Sequence, residues 1–110
     1  MNFQHKGLAE GGWSRLSFLE QMANIGSEVE RSLNWRAKNK PGYSEPAFER
    51  ALELVDVTLR TVKGYPRRKE LCRLREALVD YFAGTNQFKS SEISWRRYFQ
   101  SFTYVVRKNY

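Results

Sequence analysis

Apolar residues recur every three or four positions along four stretches of this chain, which is the spacing of one face of an α-helix. Strict alternation of apolar and polar residues, the pattern of a half-buried strand, is absent from these stretches. The four apolar stripes contain Leu19, Met22, Val29 and Leu33; Phe48, Ala51, Leu52, Val55, Leu59 and Val62; Leu71, Leu74, Leu78, Tyr81 and Phe82; and Trp95, Tyr98, Phe99, Phe102, Val105 and Val106. Short polar segments join them. The pattern predicts an all-α, up-down-up-down four-helix bundle over residues 17–108, preceded by a short irregular and flexible N-terminal arm over residues 1–16.

Capping residues indicate where each helix begins and ends. Ser17 starts a capping-box sequence, and Ser44 is expected to cap the second helix. Ser90 or Ser91 is expected to cap the fourth. The third helix ends at Gly84, a residue expected to adopt the left-handed conformation that often closes a helix.

Four residues have structural predictions of their own. Gly26 lies on the apolar face of the first helix, which suggests close approach of a neighbouring helix. Trp13 is expected to pack on the bundle as a lid that ties down the arm. Cys72 is expected to be an unreactive thiol in the core or at its boundary, and Arg75 to pair with a carboxylate of another helix or of a partner.

Length and composition point to one globular domain with a basic surface. The 110 residues are 41% hydrophobic and 28% charged, and the formal net charge is +7. Such a charge favours polyanionic partners. Three Trp, six Tyr and seven Phe exceed what a core of this size readily hides. The single cysteine excludes an internal disulfide, and no apolar run reaches the length of a membrane span, so we expect a cytoplasmic protein with no membrane partner.

The residues needed for catalysis are missing from the sequence. The only histidine, His5, lies in the arm, and no Cys/His cluster has metal-ligand spacing. Two acidic pairs, Glu49/Glu53 and Glu76/Asp80, have i, i+4 spacing, but the Glu-x-x-His sequence of di-iron bundles does not occur. No phosphate-binding glycine loop is present. The sequence therefore predicts that the protein is not an enzyme and has neither a metal nor a cofactor.

Positive charge is concentrated at the start of the third helix, where it opposes the helix dipole and suggests a functional cause. Phosphates could bind there, and Tyr65 could stack on a base. A solvated face, or pairing of the cations with acids of neighbouring helices, is the alternative. A second, weaker basic patch lies on the fourth helix. The predicted nucleic-acid-binding residues are Arg60, Lys63, Tyr65, Arg67, Arg68, Lys69 and Arg73 in the first patch, and Arg96, Arg97, Arg107 and Lys108 in the second.

Four segments carry a resemblance to known proteins: GGWSRLS, EQMANIGSEVERSLNW, RALELVDVTL and RRKELCRLREALVDYF. They resemble segments of small prokaryotic helical proteins with no assigned function. In architecture, a short basic four-helix bundle also resembles the proteins encoded in 23S rRNA intervening sequences and the accessory proteins of diversity-generating retroelements. That resemblance implies binding to RNA or to a nucleoprotein, often as a ring of identical subunits. The bundle is also comparable to HEPN-type bundles, but their Arg/His nuclease motif has no counterpart in this sequence.

Two functions follow as alternatives. The first is a non-catalytic basic bundle that binds RNA or DNA mainly through phosphates, or that acts as an accessory subunit of a nucleoprotein complex. The second is a protein-interaction module without nucleic-acid binding, either a homo-oligomer or a partner of the toxin–antitoxin type. The aromatic excess favours the second, especially if Trp13, Trp35, Tyr43 and Trp95 prove exposed.

Overall fold

A computed structural model describes residues 12–108, and within this range the chain forms four α-helices and no strand. The helices are Phe18–Ala37 (α1), Pro41–Thr61 (α2), Tyr65–Ala83 (α3) and Glu92–Lys108 (α4), with a short 3₁₀ turn at Trp13–Arg15. The predicted all-α four-helix bundle is confirmed. Of the predicted arm, residues 1–11 lie outside the described residues.

Contacts between the helices show that neighbours are antiparallel. In each pair of packed helices, residues later in one helix contact residues earlier in the other. The meeting residues are Ser32–Ser44 and Glu28–Arg50 for α1 and α2, Asp56–Arg75 and Phe48–Phe82 for α2 and α3, and Glu30–Arg96 and Gly26–Phe99 for α1 and α4. The bundle therefore has the predicted up-down-up-down topology.

One side of the bundle is more open than the other three. The backbones of α1 and α2, α2 and α3, and α1 and α4 pack closely, whereas those of α3 and α4 stay apart. Side chains span the gap: the Tyr98 hydroxyl donates to Glu70 Oε1 at 2.6 Å, and the rings of Tyr81 and Trp95 lie 6.1 Å apart. A groove between α3 and α4 is the result.

The core confirms the predictions for Trp13 and Gly26. Trp13 is fully buried, and its indole N–H donates to Thr58 Oγ1 at 2.8 Å, so the start of the described chain is fastened to α2. A Cβ atom at Gly26 would stand only 2.8 Å from the side chain of Phe99, a distance that real Cβ contacts do not reach. Glycine is therefore what lets α1 and α4 approach each other.

Two helices begin at the serines that the sequence indicates. At α1 the capping box is complete, since the Glu20 amide donates to Ser17 Oγ at 3.1 Å and the Ser17 amide donates to Glu20 Oε1 at 3.0 Å. At α4 the Ser94 amide donates to Ser91 Oγ at 3.0 Å, so Ser91 is the cap.

The predicted start of α2 is wrong. The helix begins at Pro41, one turn before Ser44, because proline is well suited to a first helical position. Ser44 is buried inside the helix, where its hydroxyl donates to the Ser32 carbonyl at 2.9 Å and its own carbonyl accepts from the Ser32 hydroxyl at 2.8 Å. Its side chain therefore joins α1 to α2 instead of capping a helix.

Two predictions around α3 are also wrong. Gly84 is extended, with φ −111°, and the left-handed conformation is adopted two residues later by Asn86, with φ +57°. The Gly84 and Asn86 amides both donate to the Asp80 carbonyl and close the helix. Cys72 is exposed rather than at the core. It follows the buried Leu71 by about 100° around the helix, which turns it toward solvent.

Candidate nucleic-acid interface

The exposed cations at the start of α3 lack partners of opposite charge. The helix begins after Gly64, whose φ of +95° allows the sharp entry, and its first turn contains no acid. Arg68, Lys69 and Arg73 are exposed, and no carboxylate among residues 12–108 forms an ion pair with them. Their charge is therefore available to an external anion.

The cations of this first patch do not share one face. The guanidinium of Arg67 lies over the Phe18 ring, 4.7 Å from its centroid, and with Lys63 it lines a cavity of about 240 Å³ beside the start of α1. Lys69 and Arg73, one helical turn apart, line the groove between α3 and α4. The structure thus divides the predicted patch into two parts.

The remaining members of the first patch lie at the same end of the bundle. Arg60 is exposed in the last turn of α2, and Lys63 is exposed in the segment between α2 and α3. Tyr65 begins α3 with 72% of its surface exposed, and the Lys69 ammonium lies 5.9 Å from its ring centroid. An exposed aromatic ring therefore lies beside an exposed cation.

Arg75 has the structural role that the sequence predicts. Its Nε donates to Asp56 Oδ1 at 2.8 Å and its Nη2 to Asp56 Oδ2 at 3.3 Å, so the pair is bidentate and joins α3 to α2. The hydrogen bond to Asp56 raises the pKa of Arg75. This guanidinium is thus occupied within the bundle.

The second basic patch is reduced by ion pairing. Arg96 donates to Glu30, to Glu92 and to the Asn34 amide oxygen, and the bond to Glu92 is the main cause of its raised pKa. Its charge is neutralised by two carboxylates. The other members, Arg97, Arg107 and Lys108, are exposed and form no ion pair within residues 12–108.

The groove between α3 and α4 combines positive charge with aromatic surface. It has a volume of about 580 Å³, and the residues that line it include Lys69, Arg73, Ser90, Trp95 and Tyr98. Such a volume is typical of ligand-binding clefts, which commonly measure about 300–1,000 Å³. The groove is therefore large enough for a small ligand, and its cations favour a negatively charged one.

A buried donor without an acceptor lines this groove. Trp95 is 5% exposed, and its indole Nε1 has no hydrogen-bond partner within the described part of the chain. Trp13, the other deeply buried indole, is satisfied by Thr58. An unmet buried donor costs about 1–3 kcal/mol, and this nitrogen is closed to solvent, so the unpaired N–H lowers the stability of the core.

Tyr98, about one turn after Trp95 on α4, lines the same groove. Its hydroxyl donates to Glu70 Oε1, and burial, followed by the hydrogen bond to this carboxylate, raises the pKa of Tyr98. The phenol therefore stays neutral at physiological pH and fixes the position of the ring. Lys69 and Arg73 outnumber Glu70, so the groove keeps an excess of positive charge.

Trp95 and Tyr98 are the site residues that sequence reasoning missed. Their helical spacing assigns them to the apolar stripe of α4, and both side chains do belong to the core: Trp95 is buried in it and Tyr98 packs against it. It does not show that α3 and α4 stand apart there. The high aromatic content of α4 was the only available signal.

The chain shows no feature of a metal centre or a membrane span within residues 12–108. No group of three or more His, Cys, Asp or Glu residues in this range could hold a metal ion. None of the helices in the same range is both long enough and apolar enough to cross a bilayer. Comparisons with protein-family models, with curated proteins and with solved structures found no match for the chain.

Proposed function

We propose that this protein is a non-catalytic nucleic-acid-binding bundle that contacts the phosphates of RNA or DNA, alone or as an accessory subunit of a nucleoprotein complex. The observation that supports the proposal is the group of exposed cations Arg68, Lys69 and Arg73, which have no carboxylate partner within residues 12–108. Arg68 and Lys69 lie near the start of α3, where acids would stabilise the helix instead, and Arg73 lies one turn further along the helix.

Other arginines of the chain differ from this group. Arg50 pairs with the buried Glu28 at 3.1 Å, Arg75 with Asp56, and Arg96 with carboxylates of α1 and α4. The arginines that join helices of the bundle are therefore paired with carboxylates. Cations left unpaired at a helix start lower the stability of the isolated protein, and a bound phosphate backbone would remove this repulsion.

Binding through phosphates has a measurable signature. Each phosphate neutralised by Lys or Arg releases condensed counterions, so the logarithm of the affinity falls linearly with the logarithm of the salt concentration. We expect affinity for RNA and DNA of many sequences to fall steeply between about 50 mM and about 200 mM salt. Sequence preference should be weak, because phosphate contacts carry no sequence information.

The test is fluorescence anisotropy with labelled RNA and DNA over this salt range. Arg68→Glu/Arg73→Glu should weaken binding at least tenfold and reduce the salt slope by about two, one for each lost phosphate contact. Lys38→Glu/Lys40→Glu is the matched control, since it changes the net charge equally at the opposite end of the bundle. Absence of binding at about 50 mM salt, or equal losses in both variants, would refute the proposal.

A protein-interaction module is the second candidate, and exposed apolar side chains favour it. Phe88 is 61% exposed and Ile93 is 62% exposed. The Asp80 carboxylate accepts hydrogen bonds from the Gln87 and Phe88 amides at 2.7 and 3.0 Å, which holds the exposed ring in place. Light scattering tests this function: self-association that Phe88→Ser/Ile93→Ser abolishes supports it, whereas a monomer at all concentrations removes the homo-oligomer.

A further inference from the structure

We propose that the protein binds single-stranded nucleic acid at the end of the bundle where α3 begins and α4 ends, with bases stacked on the exposed rings of Tyr65 and Tyr104. The inference rests on the proposed function and narrows its ligand from nucleic acid in general to a strand whose bases are unpaired. Cations on both helices hold the phosphates beside those bases.

Tyr65 and Tyr104 are the two most exposed large apolar side chains within residues 12–108. Tyr65 is 72% exposed, and Tyr104 is 67% exposed. Neither ring contacts another aromatic ring within this range. Both side chains are therefore accessible to a ligand that approaches from solvent.

The antiparallel packing of α3 and α4 brings these two tyrosines to the same end of the bundle. Tyr81, late in α3, contacts Trp95 near the start of α4, at 6.1 Å between ring centroids. Glu70, early in α3, contacts Tyr98 further along α4, at 2.6 Å. The first turn of α3 therefore lies beside the last turns of α4, and these turns contain the two exposed rings.

Each exposed ring shares a helix face with two unpaired cations. Residues four or seven positions apart lie on the same face of an α-helix. The two stripes with this spacing are Tyr65, Lys69 and Arg73 on α3, and Arg97, Tyr104 and Lys108 on α4. The four cations are exposed and form no ion pair within residues 12–108. A base stacked on either ring therefore has positive charge close by for its phosphate.

These two stripes border the groove between α3 and α4. Lys69 and Arg73 line the groove, and the Lys69 ammonium also lies 5.9 Å from the centroid of the Tyr65 ring. On α4, Ser94 lines the groove, and Arg97 follows it by three positions. A strand that stacks on both rings therefore crosses the open side of the bundle, where its phosphates meet these cations.

The exposed rings favour a single strand over a duplex. In a duplex the faces of the bases are covered by their neighbours, so a surface ring finds only phosphates and groove edges. A single strand exposes its bases, and proteins that bind it commonly combine a positive surface with aromatic side chains on which bases stack. Tyrosine is also common in protein interfaces, but four unpaired cations around two rings favour a polyanion.

The experiment compares three labelled ligands of equal length: a single strand, the same strand with abasic sites throughout, and the corresponding duplex. Anisotropy at one salt concentration should show that the wild-type protein binds the strand with bases at least about twentyfold more tightly than the abasic strand, because each base stacked on an aromatic ring contributes about fivefold or more.

Tyr65→Ala/Tyr104→Ala removes both rings. This variant should bind the strand with bases about as weakly as the abasic strand, and it should keep the salt slope and the wild-type affinity for the duplex. Each single substitution should lower the affinity for the strand with bases about fivefold. Both positions are exposed, so the fold should be retained, and circular dichroism checks this.

Two further variants serve as controls. Tyr65→Phe/Tyr104→Phe keeps the rings and should keep the preference for the strand with bases. Tyr43→Ala removes a ring that is 60% exposed near the start of α2, at the opposite end of the bundle. It should bind all three ligands as the wild type does.

NMR spectra of the unmodified protein give a direct measure of stacking. The ring ¹H signals of Tyr65 and Tyr104 should shift upfield when the strand with bases is added, because a stacked base adds its ring current, and they should stay in place with the abasic strand.

Several outcomes would contradict the inference. Equal wild-type affinity for the two single strands, or equal losses in Tyr43→Ala and in the double alanine variant, would overturn it and leave phosphate binding intact. Self-association that depends on the two tyrosines, without a preference between the strands, would assign the rings to a protein interface and also overturn it. Absence of binding to all three ligands would overturn both proposals.

Discussion

Trp13 and Trp95 show that two buried residues of one type can differ in whether their polar group is satisfied. Both are buried, but only Trp13 has an acceptor for its indole N–H, supplied by Thr58. Sequence alone predicted the packing of Trp13, since a large aromatic residue in an arm has few other ways to leave water. The missing partner of Trp95 depends on which side chains surround it, and spacing does not give that.

This difference predicts that replacing each Trp by Phe will lower the free energy of unfolding by different amounts. Trp13→Phe breaks a buried hydrogen bond, whereas Trp95→Phe removes a donor that is already unsatisfied. Both leave a smaller ring, so the loss in free energy of unfolding should be about 1–3 kcal/mol larger for Trp13→Phe. Urea denaturation of the two variants measures it. Equal losses would mean that the Trp95 indole is satisfied in solution.

Gly26 predicts that a helix-favouring substitution will destabilise the protein. Alanine in place of glycine normally stabilises a helix interior by about 1 kcal/mol. Here the added methyl group would meet Phe99 at 2.8 Å, and overpacking of a core costs about 1–3 kcal/mol. We expect Gly26→Ala to lower the melting temperature. Ser27→Ala, on the exposed side of the same helix, is the control and should not lower it.

Tyr98 predicts a loss of stability at alkaline pH. Burial and the bond to Glu70 raise the pKa of Tyr98 above its ordinary value of 10.0. Above that pH the unfolded chain holds fewer protons than the folded chain, so the free energy of unfolding falls with rising pH, by at most about 1.4 kcal/mol per pH unit from this group. In Tyr98→Phe the decline between about pH 9 and about pH 11 should be shallower, as urea titrations can show. A decline of equal steepness would contradict the raised pKa.

At the scale of the helix, the sequence predicts an interaction between residues close in the chain better than it predicts which residues of other helices a side chain contacts. The capping box of Ser17 involves residues three apart, so the sequence contains the whole interaction. Ser44 was misassigned because its hydroxyl can cap a helix or bond to another helix, and the choice depends on Ser32, twelve residues away. Cys72 was misplaced by its position beside Leu71, since rotation about the helix axis separates sequence neighbours.

The Asp80 carboxylate helps to hold the segment between α3 and α4, together with the Asn86 side chain, which exchanges two hydrogen bonds with the Ser90 backbone. Asp80 accepts hydrogen bonds from the amides of Gln87 and Phe88, and this segment also supplies Ser90 to the groove. Asp80→Ala should reduce the free energy of unfolding by about 1–3 kcal/mol, because two amides lose a charged acceptor. Glu76→Ala, an exposed position on the same helix, should change it by less than about 0.5 kcal/mol. Equal effects in thermal unfolding would show that the segment does not depend on Asp80.

At the scale of the whole molecule, the sequence predicted the number of helices but not the open side of the bundle. Each apolar stripe shows that a helix has a buried face, and short connections make successive helices antiparallel. Neither fact gives the distance between α3 and α4, which depends on how bulky side chains such as Tyr81, Trp95 and Tyr98 meet. The basic residues were predictable as a group. The sequence did not predict that Arg67 would lie over the Phe18 ring while Lys69 and Arg73 line the groove.

The unequal packing of the helices also sets an order in which the protein should open. Among the helices, α1 packs closely on α2 and α4, and α2 on α1 and α3, whereas α3 and α4 each have one close partner. Amide hydrogen exchange should therefore be slowest in α1 and α2, with α3 and α4 detaching through local unfolding at lower free energy.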